Sequence, residues 1–323
     1  LQEQFRLLTT YERRSQKLNQ ETMNRIHEIF KTHWDRPLMT GGAAMATHAL
    51  ETGKVLYLPE LAFNLALSEQ KFLRAESINL KAKNISFNPN TNILKNIHCS
   101  ATDKATLTHL LQRYSNHAQR LLAQLCPHYT PHLRLGRTSF RPAEIAGRKT
   151  SLRKDDTRLH VDAFPASPNQ GQRILRVFTN INPDQPRIWR LGEPFAEVIK
   201  TFSSYLKAPL YGSSKILQWL QLTRGYRSHY DHYMLQLHDA MKADYVYQKS
   251  ANQQEIHFPA GSSWVVYTDL VSHAAMKGQF ALEQTFYLPV HAMQDQRYSP
   301  LRIIEQTLDQ KLVSPAPVLS HAK

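Results

Sequence analysis

Arg158–Phe164, RLHVDAF, sets His160 and Asp162 two residues apart. In an extended segment residues i and i+2 point to the same side, so an imidazole and a carboxylate converge on one point in space. A third donor should then come from a distant strand of a small barrel. Residues 262–288, SSWVVYTDLVSHAAMKGQFALEQTFYL, supply one: His273 closes a short run after an apolar strand, and a glycine and a further strand follow it. Two neutral imidazoles and a carboxylate on one side of an ion leave the opposite side open. That donor set predicts a facial iron(II) triad of His160, Asp162 and His273, with open positions for an oxoacid and dioxygen. His-x-Asp alone is unspecific in a chain with 16 histidines and 26 acids, so the distal histidine in its turn-and-strand setting carries the assignment.

The rest of the chain supports a folded protein around such a site. Hydrophobic residues make up 41% of the 323, enough for a packed core. No run approaches the about 18 apolar residues of a membrane-spanning helix. The first residues, LQEQFRLLTTYERRSQK, lack the apolar core of a signal peptide. With only Cys99 and Cys126, no disulfide framework is expected and a cytoplasmic setting is the expectation. Forty Lys and Arg against 26 Asp and Glu give a net charge of +14 and a pI near 9.7, which points to a polyanionic partner.

Residues 1–130 read as a mostly helical N-terminal layer. In 103–126 the apolar residues Leu107, Leu110, Leu111, Tyr114, Ala118, Leu121, Leu122 and Leu125 keep helical spacing, with Asp103 near the start and Pro127 at the end. A shorter helix is expected over Glu60–Arg74, and KNISFNPNTN reads as a turn beside a short strand. From about Leu135 the texture becomes β-rich. Strands are expected at Arg158–Phe164, Arg173–Asn182, Ser263–Tyr267 and Phe280–Leu288, and helices interrupt them at Glu193–Leu206 and Tyr230–Met241. Residues 131–308 thus form the core of one composite domain, and 309–323 a loose tail.

The oxoacid needs a cation for its far carboxylate. Many oxygenases of this kind place an Arg about ten residues after the distal histidine, where this chain has Leu282, Glu283 and Gln284. In RILRVFTNINP (173–183), Arg176, Phe178, Asn180 and Asn182 share one face, while Leu175, Val177, Thr179 and Ile181 form an apolar face suited to packing on helices. Parity therefore favours Arg176 over Arg173, with Asn180 beside it. Gln284 is the second candidate, on the strand face of Phe280, Leu282 and Phe286.

Three segments carry a resemblance: residues 137–195, from RTSFRPAEI to LGEPF; RSHYDHYMLQLHDAMK (227–242); and FPAGSSWVVYTDLVSHAAMKGQFALEQTFYLP (258–289). Together they resemble the bacterial Kdo 3-hydroxylase family over about residues 133–292. The resemblance implies an α+β fold with a double-stranded β-helix, or jelly roll, carrying helical insertions. It implies iron(II), 2-oxoglutarate and dioxygen, with His160, Asp162 and His273 as ligands. The acceptor it implies is lipid A-linked Kdo, hydroxylated at carbon 3 to Ko in the inner core of lipopolysaccharide. Kdo bears a carboxylate, lipid A bears phosphates and the inner leaflet is anionic, all suited to a basic protein. The run GRKTSLRKDDTR (147–158) places Arg148, Arg153, Lys154 and Arg158 just before the first ligand, as a rim where the sugar would dock. Peripheral contact with the inner membrane follows from this reading, and a nucleic-acid partner does not. The rivals are a same-fold oxygenase acting on a protein or another small molecule, and a basic cupin-like module binding nucleic acid or membrane. The second would bind neither iron nor oxoacid and would weaken steeply with salt.

Overall fold

The computed structural model describes residues 25–74, 84–97, 99–210, 219–220, 223 and 225–313, and the structural statements concern these. Two sheets face each other. The larger has eight strands in the order β1 (Ile26–Glu28), β2 (Val55–Leu58), β9 (Ser263–Tyr267), β6 (Arg173–Asn180), β11 (Ala281–Leu288), β5 (Arg134–Arg141), β3 (Ile85–Asn88) and β4 (Ile93–Lys95). The smaller runs β10 (His273–Lys277), β7 (Arg187–Leu191), β8 (Gln254–Phe258), and a single antiparallel bridge joins His160 to the β10 edge. Counting that bridge as a fourth strand gives two facing four-stranded layers, β5-β11-β6-β9 and 160-β10-β7-β8. This is the expected jelly roll, with every pairing among these strands antiparallel.

Strand parity divides β6 as its alternation predicts. Leu175 and Val177 belong to the outer core, built with the helical layer. Phe178 points between the sheets, where it meets Trp189, Trp264 and Phe258 in an aromatic plug. The outer face is covered by α2 (Ala101–Leu125), whose buried stripe holds the eight apolar residues predicted from spacing. Each fully buried leucine of that stripe contributes about 1.5–3 kcal/mol. Tyr114 fixes the helix on the sheet, its hydroxyl lying 3.2 Å from both the Val177 carbonyl and Thr179 Oγ1. Ser100 caps α2, its hydroxyl accepting from the Asp103 amide at 3.1 Å. The other helices are α1 (Gly42–Glu51), α3 (Phe195–Phe202), α4 (His229–Ala243), α5 (Tyr245–Ser250) and α6 (Pro300–Leu308). The Ser228–Asp231 capping box opens α4, and Asp231 also accepts from the amides of Asn169 and Gln170, tying this helix to the loop after the first ligands.

Three expectations need correction. Glu60–Arg74 is not an α-helix: Leu61 and Phe63 are buried in irregular chain, and only Gln70–Leu73 forms a 3-10 turn. Backbone carbonyls there are taken by distant side chains, Ala62 by the Trp34 indole at 2.8 Å and Asn64 by Arg113 at 3.1 Å. Among its described residues the N-terminal third is less helical than read, because β1 to β4 extend the larger sheet at both edges; of these, only the short strand beside the KNISFNPNTN turn was expected. Arg158–Phe164 pairs only through His160, since its partner strand begins at His273. Part of the proposed tail, residues 314–323, lies outside the described residues.

Candidate metal centre

His160 and His273 meet across that bridge, each amide donating to the other's carbonyl at 3.0 and 2.9 Å. The Asp162 amide donates to the Thr268 carbonyl at 2.8 Å, which fixes the second ligand over the end of β9. One donor atom from each of His160, Asp162 and His273 lies within 4.8 Å of the others. Nδ1 of His160 sits 2.7 Å from the Arg158 carbonyl, and Nδ1 of His273 sits 2.8 Å from that of Val271. Carbonyls only accept, so both Nδ1 atoms carry the proton and both Nε2 lone pairs are free for a metal. Burial, above all, pushes both imidazoles below their ordinary range and keeps them neutral. Burial alone would raise Asp162, but the Arg176 guanidinium beside it outweighs that and holds the carboxylate ionised. A neutral–neutral–anionic donor set with aligned lone pairs fits iron(II).

The surroundings hold these rings in place. Trp189 stacks on His273 at 5.2 Å and 20°, and His238 meets His160 edge-on at 5.4 Å. Gly192 is required where β7 leaves the sheet: a Cβ there would fall 2.5 Å from Ser272 Oγ, beside the distal ligand.

Behind the triad runs a line of buried charges. Arg176 Nη2 lies 3.0 Å from Asp162 Oδ2, and its Nη1 lies 3.1 Å from Glu283 Oε1. Glu283 in turn accepts from Arg141 at 2.6 Å. Arg187 is different. It is buried between the sheets two residues before Trp189, it donates only a 3.3 Å bond to the Gly278 carbonyl, and its Nε has no partner. No carboxylate among the described residues forms an ion pair with it. Burial first, and Arg141 second, push its pKa down to about 9.

The sequence-predicted residues divide cleanly. The triad assembles, and Arg176 reaches the interior as parity required. Arg173 is on the opposite face, paired with Asp269 at 2.7 Å. Gln284 is also on the outer face, accepting from Thr138 at 2.6 Å and donating to the Thr285 carbonyl at 2.7 Å, so its amide does not face the site. Asn180 spends its side chain on the turn after β6, donating to the carbonyls of Gln185 and Phe258 and accepting from the Asn182 amide. Three cations of the 148–158 run have carboxylates of their own: Arg148 with Asp156, Arg153 with Asp239, Arg158 with Asp155. Lys154 lies among them in a 3-10 turn. Sequence reasoning missed Glu283, Arg141 and Trp189, and gave Arg187 no part in holding the oxoacid. Parity would have found Glu283, which occupies the face of β11 that Gln284 does not.

The Kdo (3-deoxy-D-manno-oct-2-ulosonic acid) hydroxylase family profile matches residues 34–311. No curated protein matches the chain. A crystal structure of the Kdo hydroxylase KdoO, a non-heme Fe(II) α-ketoglutarate-dependent dioxygenase, in complex with cobalt(II), is 47% identical. The match covers 90% of this chain and 98% of that one, with a TM-score of 0.88. The same enzyme with α-ketoglutarate and Fe(III) is also 47% identical, covering 89% of this chain and 97% of that one at a TM-score of 0.86. With a jelly roll, an assembled triad and a family match spanning most of its length, the chain belongs to the Kdo hydroxylase family.

Proposed function

We infer that this protein hydroxylates Kdo at carbon 3, giving Ko, with iron(II), 2-oxoglutarate and dioxygen, and that its acceptor is Kdo carried on lipid A. The observation that carries the reading is the convergence of His160 Nε2, His273 Nε2 and the ionised Asp162 on one point. When bound, iron would supply the oxidising power to break a C–H bond, with dioxygen as the oxidant and the oxoacid as its two-electron co-reductant; no side chain possesses that power. The chain's own residues provide geometry and charge. Val271 and Arg158 carbonyls hold the imidazole tautomers, Trp189 and His238 fix the ring planes, and Arg176 keeps Asp162 ionised and oriented. The far carboxylate of the oxoacid is assigned to Arg187, the buried guanidinium without a counter-charge; Arg176, favoured by parity, is already shared by two carboxylates.

A lipid-borne acceptor is supported by the surface. The insertion between α3 and α4 exposes Leu210, Trp219, Leu220 and Tyr226, an apolar set on a basic protein, and also contributes Gly225 to a cleft beside Arg176. Such an acceptor would be reached by docking of this apolar and basic surface on the cytoplasmic leaflet; among the described residues no helix is long and apolar enough to cross a membrane. Mass spectrometry of Kdo–lipid A after incubation with enzyme, iron(II) and 2-oxoglutarate tests the assignment. A gain of one oxygen on the sugar, matched by one succinate, is expected. Succinate formation that neither depends on Kdo–lipid A nor leaves oxygen on it would refute the acceptor.

A further inference from the structure

A cleft of about 840 Å³ opens beside Arg176 and runs across β5 to the N-terminal β3–β4 hairpin. Four arginines line it, Arg134, Arg137, Arg141 and Arg176, against a single acid, Glu283. Glu283 is already shared between Arg141 and Arg176. Arg134 and Arg137 have no carboxylate partner among the described residues. Arg137 donates to Ser86 Oγ at 3.1 Å; Arg134 donates to Gln172 Oε1 at 3.1 Å and lies over the Tyr287 ring.

Their shared direction has a local cause. In a regular strand, residues three apart point to opposite faces. Thr138 pairs with Gln284 and Leu135 with Phe286, so β5 spends three steps where β11 spends two. This bulge re-aims one side chain and brings Arg134 and Arg137 onto the same wall. Gly136 permits it, because a Cβ there would lie 2.8 Å from the Thr285 carbonyl. On the neighbouring β3, Ile85 and Phe87 face the helical core, whereas Ser86 and Asn88 line the cleft with Asn84 and Asn96. The wall therefore combines two uncompensated guanidinium groups with a row of amides and hydroxyls, chemistry suited to an acid that also carries many hydroxyls. Phe164, two residues beyond Asp162, lines the cleft, as does Arg176, which is paired with Asp162, so the cleft adjoins the metal centre.

We propose that this cleft is the acceptor subsite, and that Arg134 and Arg137, aligned by the β5 bulge, bind the carboxylate of a sugar acid while the β3 wall reads its hydroxyls. This rests on the sugar-hydroxylase reading of the metal centre and deepens it. The cationic run at 148–158 lies outside the cleft.

Isothermal titration of the full chain, loaded with manganese(II) and 2-oxoglutarate under nitrogen, tests the assignment. The probes are free Kdo, two other carboxylated sugars, a phosphorylated sugar and a neutral sugar of similar size. Arg134→Gln and Arg137→Gln keep most of each side chain's packing, and Arg137→Lys keeps charge without the fork. Loss of a charge-assisted bond should weaken carboxylated sugars on the order of tenfold per glutamine substitution and a hundredfold for the pair, with partial rescue by lysine. Affinity for 2-oxoglutarate should not move. If Kdo fails to bind but another carboxylated sugar binds in an arginine-dependent way, the Kdo reading falls and the subsite stands. If the double variant binds carboxylated sugars as wild type does, or wild type binds none better than the neutral sugar, the subsite is wrong. Preference for the phosphorylated sugar would overturn the carboxylate assignment.

Discussion

Replacing Arg187 by Met should stabilise the metal-free, oxoacid-free protein while weakening its hold on 2-oxoglutarate. Burial and Arg141 lower this guanidinium by about 3.5 units from its ordinary value, to about 9. At about 1.4 kcal/mol per unit, that is roughly 5 kcal/mol of unfavourable charge burial. The folded value lies below the unfolded one, so from about pH 9 up to the ordinary guanidinium range the unfolded chain binds more protons. Stability rises with pH across that window, and below it the destabilisation is complete. At neutral pH the charge persists and is relieved only by an anion. Methionine fills a similar volume without charge, and after allowing for lost contacts a gain of about 1–4 kcal/mol in the apo protein is expected. The bound oxoacid should lose about 1.5–3 kcal/mol, tenfold or more in affinity. At 2-oxoglutarate one hundredfold above the wild-type Kd, the ligand stabilises wild type by about 2.7 kcal/mol. A thirtyfold weaker variant would gain under about 1 kcal/mol at that concentration. Urea unfolding of the apo and manganese(II)-loaded forms, with and without 2-oxoglutarate, reads both signs in one experiment. A less stable apo variant with unchanged 2-oxoglutarate stabilisation would refute the argument. If Arg176→Ala then loses oxoacid affinity, the anchor is Arg176.

His160→Ala, Asp162→Ala and His273→Ala should each lose metal binding, read by equilibrium dialysis with manganese(II), while keeping wild-type circular dichroism; undiminished binding in any one removes that residue from the ligand set. Both imidazoles are held below their ordinary range by burial, so below about pH 6.5 the unfolded chain takes up protons that the folded apo protein does not. Stability should fall with acidification by up to about 2.7 kcal/mol per pH unit, and a His160→Ala/His273→Ala variant should lose most of that slope. Replacing Trp219 and Leu220 by serine should reduce sedimentation with anionic vesicles without changing the affinity for manganese(II) and 2-oxoglutarate; equal sedimentation would detach this insertion from membrane docking.

The metal centre was legible because it rests on local rules. Two residues of spacing place His160 and Asp162 on one side whether or not a regular strand forms, and the isolated bridge at His160 shows how little pairing this needs. Parity along β6 likewise sent Arg176 inward and Arg173 outward, and helical spacing in α2 named its buried stripe. Oxoacid and acceptor contacts were less accessible. Gln284 and Asn180 looked unpartnered in sequence, yet they are satisfied by Thr138, Thr285 and the turn after β6, partners that only folding brings near.

What the sequence determined by itself, then, is the donor set, the β-rich core and the face each strand residue takes, all set by side-chain chemistry and short periodicities. The tertiary structure decided where charge is balanced. Neutralisation depends on which groups lie within a few ångströms, so three cations of 148–158, conspicuous as a run, turn out to be paired with Asp155, Asp156 and Asp239. Arg187, unremarkable in its strand, is left buried with no ion-paired carboxylate among the described residues and with its Nε unpartnered. One extra residue in β5 turns Arg134 and Arg137 onto one wall, because a bulge exists only relative to the strand it pairs with.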